Sequence, residues 1–76
     1  MTEGHAFIFS ARRNASRFVS WLEMMGYAYE SEQVDYEWKV TCIGARRLSA
    51  EQFAKAGERL EELAKQMGGR RHGWHV

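Results

Sequence analysis

Gly68-Gly69-Arg70-Arg71-His72-Gly73-Trp74 is the stretch whose reading decides the fold. It follows a well-marked amphipathic helical pattern. Its two leading glycines stop that helix and turn the chain, since glycine enters the left-handed backbone region without a steric penalty. Arg70 to His75 then reads as a short last strand whose Trp74 seals against the body of the protein. A strand at that place needs a sheet to receive it, so the upstream sequence is read for the surface that this strand closes.

The segment just before it is the most secure element. Ser49-Ala50-Glu51-Gln52 has the capping-box pattern, in which the serine hydroxyl and the glutamine side chain satisfy free amides at a helix start. Phe53, Ala56, Leu60, Leu63, Ala64 and Met67 then recur at helical spacing as one apolar stripe, with Glu51/Lys55 and Glu61/Lys65 at i,i+4 on the wet side. Gly57 inside this helix costs about 1 kcal/mol against alanine. It either marks a close approach of helix to sheet or is an accident of drift.

Toward the start, residues 1–4 have no pattern. His5 to Ala11 reads as a strand, with Phe7 and Phe9 on one face and Ile8 on the other. Asn14 is the expected N-cap of a first helix whose stripe is Ala15, Phe18, Val19, Leu22 and Met25, and Gly26 ends it. Tyr27 to Ser31 and Asp35 to Ile43 alternate as two strands of a hairpin, the second setting Trp38, Val40 and Cys42 against Glu37, Lys39 and Thr41. The connection around Glu32 to Val34 lacks glycine, which predicts a longer or looser turn than the tight Asn-Gly kind. Gly44 to Leu48 is expected to be a loop.

Strand, helix, strand, strand, helix, strand is the resulting order. Two amphipathic helices and four short strands bury their apolar faces most simply with both helices on one face of a four-stranded antiparallel sheet. That is the ferredoxin-like βαββαβ sandwich of the α+β class. Its usual strand order makes the first and third strands central, which suits Phe7, Phe9, Trp38 and Val40 as core.

Composition sets bounds on what this sandwich can do. A sequence of 76 residues is expected to form a single domain, 1–76, on one small core, with no room for a deep substrate cleft. Hydrophobic residues make up 45% and charged residues 28%, which excludes a disordered tail. A lone Cys42 excludes an internal disulfide framework, and no apolar run reaches the length of a signal core or a membrane span, so a cytoplasmic protein is the default. The net charge of +1 points to neither nucleic acid nor membrane, but its distribution is uneven. Glu30, Glu32, Asp35 and Glu37 are acidic, while Arg12-Arg13, Arg46-Arg47 and Arg70-Arg71 are basic pairs.

In the expected topology Arg12, Arg13, Arg70 and Arg71 gather at one end of the sheet, near Glu32 and Asp35 and beside the first helix N-terminus, where free amides favour an anion. A phosphate or an acidic partner fits there; alternatively the arginines pair with the hairpin acids or are simply solvated. Trp21 and Met24 lie beside the stripe of the first helix, and Trp74 and Tyr29 at sheet margins. Such residues are enriched at interfaces, or else complete a small core from its edge. A sheet with an open face also admits a homodimer. An RNA reading needs stacking aromatics on the open face, and Glu37, Lys39, Thr41 and Ile43 supply none. His72 and His75 point to opposite faces of a strand and no other ligand joins them, Cys42 is expected in the core, and no nucleophile, base and orienting acid fall together. No cofactor, no metal and no enzymatic activity are expected.

The run Leu60 to Trp74, with Leu63-Ala64, Gly68-Gly69 and Gly73-Trp74, resembles the C-terminal signature of the bacterial ribonuclease E inhibitor family, regulator of RNase activity B. Gly26-Tyr27 after a helix and the Trp38-Lys39-Val40 strand resemble the same layout. The resemblance implies a ferredoxin-like fold and binding to an enzyme rather than catalysis. Where the family pattern has tyrosine and aspartate, this sequence has Arg71 and His72. The expected function is therefore a non-enzymatic protein-binding module that inhibits or modulates an enzyme such as a ribonuclease, with Arg12, Arg13, Trp21, Met24, Arg70, Arg71 and Trp74 as partner-binding residues. The alternative is an RNA- or DNA-binding domain that uses the arginine pairs.

Overall fold

The computed structural model describes residues 4–72; Gly73, Trp74 and His75, and with them the sealing role expected of Trp74, lie outside the described residues. The elements are β1 (His5–Phe9), α1 (Arg12–Met25), β2 (Tyr27–Val34), β3 (Glu37–Ala45), α2 (Ala50–Gln66) and β4 (Gly69–Arg71). All pairings are antiparallel and the strand order is β2-β3-β1-β4. The ferredoxin-like expectation and its central first and third strands are both met.

Register explains the core. Phe7 sits opposite Val40 and Phe9 opposite Trp38, so the larger residues of β1 and the Trp38-Val40-Cys42 series of β3 share the face beneath the helices. Phe7, Phe9, Val40 and Cys42 are fully buried there with Phe18 and Leu22 of α1 and Leu60 and Ala64 of α2. The Phe18 ring lies 5.5 Å from that of Phe7, edge-on, and 5.2 Å from that of Phe9. Offset and edge-on aromatic pairs of this kind add about 0.5–1.5 kcal/mol beyond area burial.

The two glycines that open the last stretch do different jobs. Gly68 has φ +83°, the left-handed conformation that follows a helix end. A Cβ on Gly69 would lie 2.5 Å from Cε2 of Phe9, so the second glycine is there for room: it lets β4 lie against β1 beside that ring.

Gly57 marks a close approach rather than drift. A Cβ there would fall 2.8 Å from Nδ1 of His5, whose ring packs on Phe53 at 4.8 Å and whose Nε2 is 3.1 Å from the Phe53 carbonyl oxygen. Overpacking costs about 1–3 kcal/mol, and alanine returns only about 1 kcal/mol in helix propensity. Gly57→Ala is thus expected to lower stability by about 1 kcal/mol in urea unfolding. The same change in a His5→Ala background is expected to be neutral or stabilising. A Gly57→Ala protein more stable than wild type, with His5 present, would show the contact to be slack.

Several local expectations are corrected. Ala11, extended at φ −111° and ψ 129°, is the N-cap of α1, and its carbonyl accepts from Asn14 and Ala15; the Asn14 side chain instead lies 2.8 Å from where a Cβ on Gly68 would stand. The hairpin turn is tight: Val34 pairs with Glu37, leaving only Asp35 and Tyr36 between. Asp35 adopts φ +57° and so does what glycine does in most tight turns, aspartate being one of the few residues that tolerate this region. Gly44 and Ala45 belong to β3 rather than to a loop. The pairing of β2 with β3 skips Ile43 between Ala28/Gly44 and Tyr29/Cys42, a bulge that leaves Ile43 exposed. Met25 is 57% exposed, because the stripe of α1 runs off the sheet at its last turn.

Candidate protein-binding site

The basic and apolar residues singled out in the sequence do not form one surface. Arg70 and Arg71 are neighbours on a strand and so point to opposite faces. Arg70 reaches across β1 on the open face to Glu37, at 3.1 Å, and this bridge helps cover Ile8, which is only 4% exposed although it faces away from the helices. Arg71 lies on the helix face, its guanidinium 5.8 Å above the Phe7 ring, 3.3 Å from His5 Nδ1 and 3.8 Å from a carboxylate oxygen of Glu61 on α2. Glu61 also meets Lys65 at the expected i,i+4 spacing, at 3.4 Å. The expected pairing of Arg70 and Arg71 with Glu32 and Asp35 is thus replaced by pairing with Glu37 and Glu61. Each such half-exposed pair is worth only about 0–1 kcal/mol, but it fixes where the arginine points.

Arg12 and Arg13 are exposed in the first turn of α1 and make no ion pair among the described residues. Met24 sits twelve residues further along the same helix, about 18 Å away at 1.5 Å per residue. Trp21 is partly buried: its ring stacks on Tyr27 at 5.9 Å and 21°, against the core. The ring completes the core margin and stays partly exposed.

At this far end of α1 the structure assembles residues the sequence reading had left apart. Met24, Met25, Gly26 and Tyr27 face Ala45, Arg46, Arg47 and Leu48 across an open groove of about 410 Å³. Met24 is 77% exposed, and Arg46 and Arg47 are exposed beside it. Gly26, at φ 83°, closes α1, and the Arg46 amide donates to its carbonyl at 3.4 Å, which ties the two loops together. The guanidinium groups stand at the negative end of the α1 dipole, which carries no basic residue in its own last turn. Exposed methionine and arginine around an aromatic edge have the composition of an interface centre. The legible signal was Gly26: a helix that ends on a left-handed glycine directly after two methionines must present them at its tip.

The remaining titratable groups are structural. Cys42 is fully buried and desolvation pushes its thiol up to about 12, so it is packing and not a nucleophile. Tyr29 donates to a Glu23 carboxylate oxygen at 2.7 Å, and that bond raises its phenol pKa. Burial raises that of Tyr27. No group of three or more metal-ligating side chains occurs among the described residues, nor is any described helix long and apolar enough to cross a membrane.

The chain is thus a ferredoxin-like α+β sandwich with an open methionine–arginine groove at the end of its first helix. Residues 1–76 match the family described as Regulator of ribonuclease activity B, and the chain belongs to that family. No curated protein and no solved structure matches it.

Proposed function

We propose that this chain regulates a ribonuclease by binding the enzyme directly, without chemistry of its own. Membership of the ribonuclease-regulator family along residues 1–76 carries the reading. The groove at the end of α1, lined by Met24, Met25, Tyr27, Arg46 and Arg47, is the surface assigned to the enzyme, since it combines exposed apolar area with basic charge. On this reading the effect is inhibitory, as the family resemblance implies, and the protein works in the cytoplasm. Arg12 and Arg13 form a separate basic point, and Arg70 and Arg71 keep to their carboxylate partners.

The test is cleavage of a labelled RNA by a ribonuclease E-type enzyme as the chain is added. The expected result is saturable inhibition, set by the ratio of chain to enzyme and unchanged by excess RNA. Inhibition that disappears when RNA is in excess, together with retention of labelled RNA by the chain in the absence of enzyme, would instead mean that the chain sequesters substrate. Affinity of the chain alone for RNA, falling steeply with added salt, would then establish the nucleic-acid reading.

A further inference from the structure

We propose that the exposed edge of β2 accepts an extended, basic segment of a partner protein as a fifth strand of the sheet. This is independent of the α1 groove and of which enzyme is bound there. Among the described residues β2 pairs only with β3, and it runs for eight residues, about 27 Å at 3.4 Å per residue. Along an antiparallel edge alternate residues turn both N–H and C=O outward, so β2 offers a long ladder of unpaired backbone groups. The opposite edge is formed by β4, which spans Gly69–Arg71 among the described residues.

Edges of this length are commonly blunted by proline, lysine or a bulge. Between Tyr27 and Val34 there is no proline, lysine or arginine, and the bulge lies at the Ala28/Tyr29 end, leaving Tyr29 to Val34 in unbroken pairing. The charges present are Glu30 and Glu32. They alternate with Ser31 and Gln33, so both point to the open face, opposite Thr41 and Lys39 of β3. Neither carboxylate forms an ion pair among the described residues. Glu30, Ser31 and Glu32 line a recess of about 440 Å³ at this edge that reaches Lys39 and Thr41.

These charges select the occupant. A second copy pairing antiparallel through β2 would set the Glu30 and Glu32 side chains of both copies on one face within cross-strand reach, and like charges so placed repel. A nucleic acid meets the same repulsion. A strand with lysine or arginine at alternate positions places its cations over Glu30 and Glu32 while its backbone completes the ladder. Main-chain bonds then supply affinity and the carboxylates supply selectivity.

The probe is an eight-residue peptide alternating lysine with threonine, added to the isotope-labelled chain. Saturable amide shifts and slowed amide exchange confined to Tyr27–Val34 and the facing part of β3 are expected. Three comparisons decide the matter. The glutamate-for-lysine peptide should not bind. A peptide N-methylated on alternate backbone amides, with its charge intact, should bind at least about tenfold more weakly. The Glu30→Lys, Glu32→Lys chain should lose at least about tenfold in affinity with an unchanged spectrum elsewhere. Absence of shifts with the lysine peptide, equal binding of the N-methylated peptide, or a β2-mediated homodimer in sedimentation would each overturn the proposal.

Discussion

Phe18→Ala is expected to cost about 3–5 kcal/mol of folding stability, a loss as large as that of any single substitution in this core. The ring is fully buried between those of Phe7 and Phe9 and belongs to the cluster that joins α1 to both central strands. Removing a buried phenylalanine costs about 3–5 kcal/mol, part lost transfer energy and part the cavity left behind. At about 0.05–0.15 kcal/mol per residue, a chain of 76 residues has about 4–11 kcal/mol of stability, so the change consumes a large share of it. The cavity cannot easily relax, because its walls are a central sheet pair and a helix pinned at both ends. Urea unfolding followed by far-ultraviolet circular dichroism should show the midpoint lowered in proportion, to about half that of wild type. Arg17→Ala, an exposed neighbour on the same helix, should stay within about 0.5 kcal/mol of wild type. A loss under about 1.5 kcal/mol for Phe18→Ala would mean that the α1 layer contributes little to the fold.

The same core explains why the architecture was legible in the sequence. The βαββαβ order, the central strands, the capping box of α2 and the glycine stops of both helices follow from local patterns of period 2.0 and 3.6, which burial enforces residue by residue. Reading stopped where geometry depends on what lies across a gap. That Gly57 makes room for His5, fifty-two positions away, is a tertiary fact with no local trace. The tight turn at Asp35 was missed because aspartate can do there what glycine usually does. Where the arginine pairs lie has one physical root. Arg70 and Arg71 read as a single basic unit, although the strand period sends them to Glu37 and Glu61 on opposite faces. Arg46 and Arg47 were left out because the value of an exposed charge lies in its neighbours, and Met24 and Met25 meet them only through the contact of Gly26 with the β3–α2 loop.

If the ribonuclease docks on the groove, as proposed, changes there have the largest functional effect expected of any surface substitution. Arg46→Glu with Arg47→Glu reverses the charge beside the exposed methionines, and Met24→Asp removes the apolar contact at the groove's most protruding point. Interface-centre residues cost 2 kcal/mol or more each on truncation, and like-charge juxtaposition adds to that in a desolvated contact. The triple variant should therefore bind and inhibit the ribonuclease at least on the order of 100-fold more weakly, since 1.4 kcal/mol is a factor of ten. Folding should be spared, because all three side chains are exposed and none forms an ion pair among the described residues. An Arg12→Glu, Arg13→Glu variant provides the contrast. It removes four units of charge at the other end of α1 against five in the triple variant, so a purely long-range electrostatic effect would weaken binding to a similar degree in both proteins and fade with salt alike. Loss confined to the groove variant, persisting at high salt, would identify a packed contact at Met24. Equal loss in the two proteins would move the enzyme-binding surface away from the groove and leave the basic charge as a steering field alone.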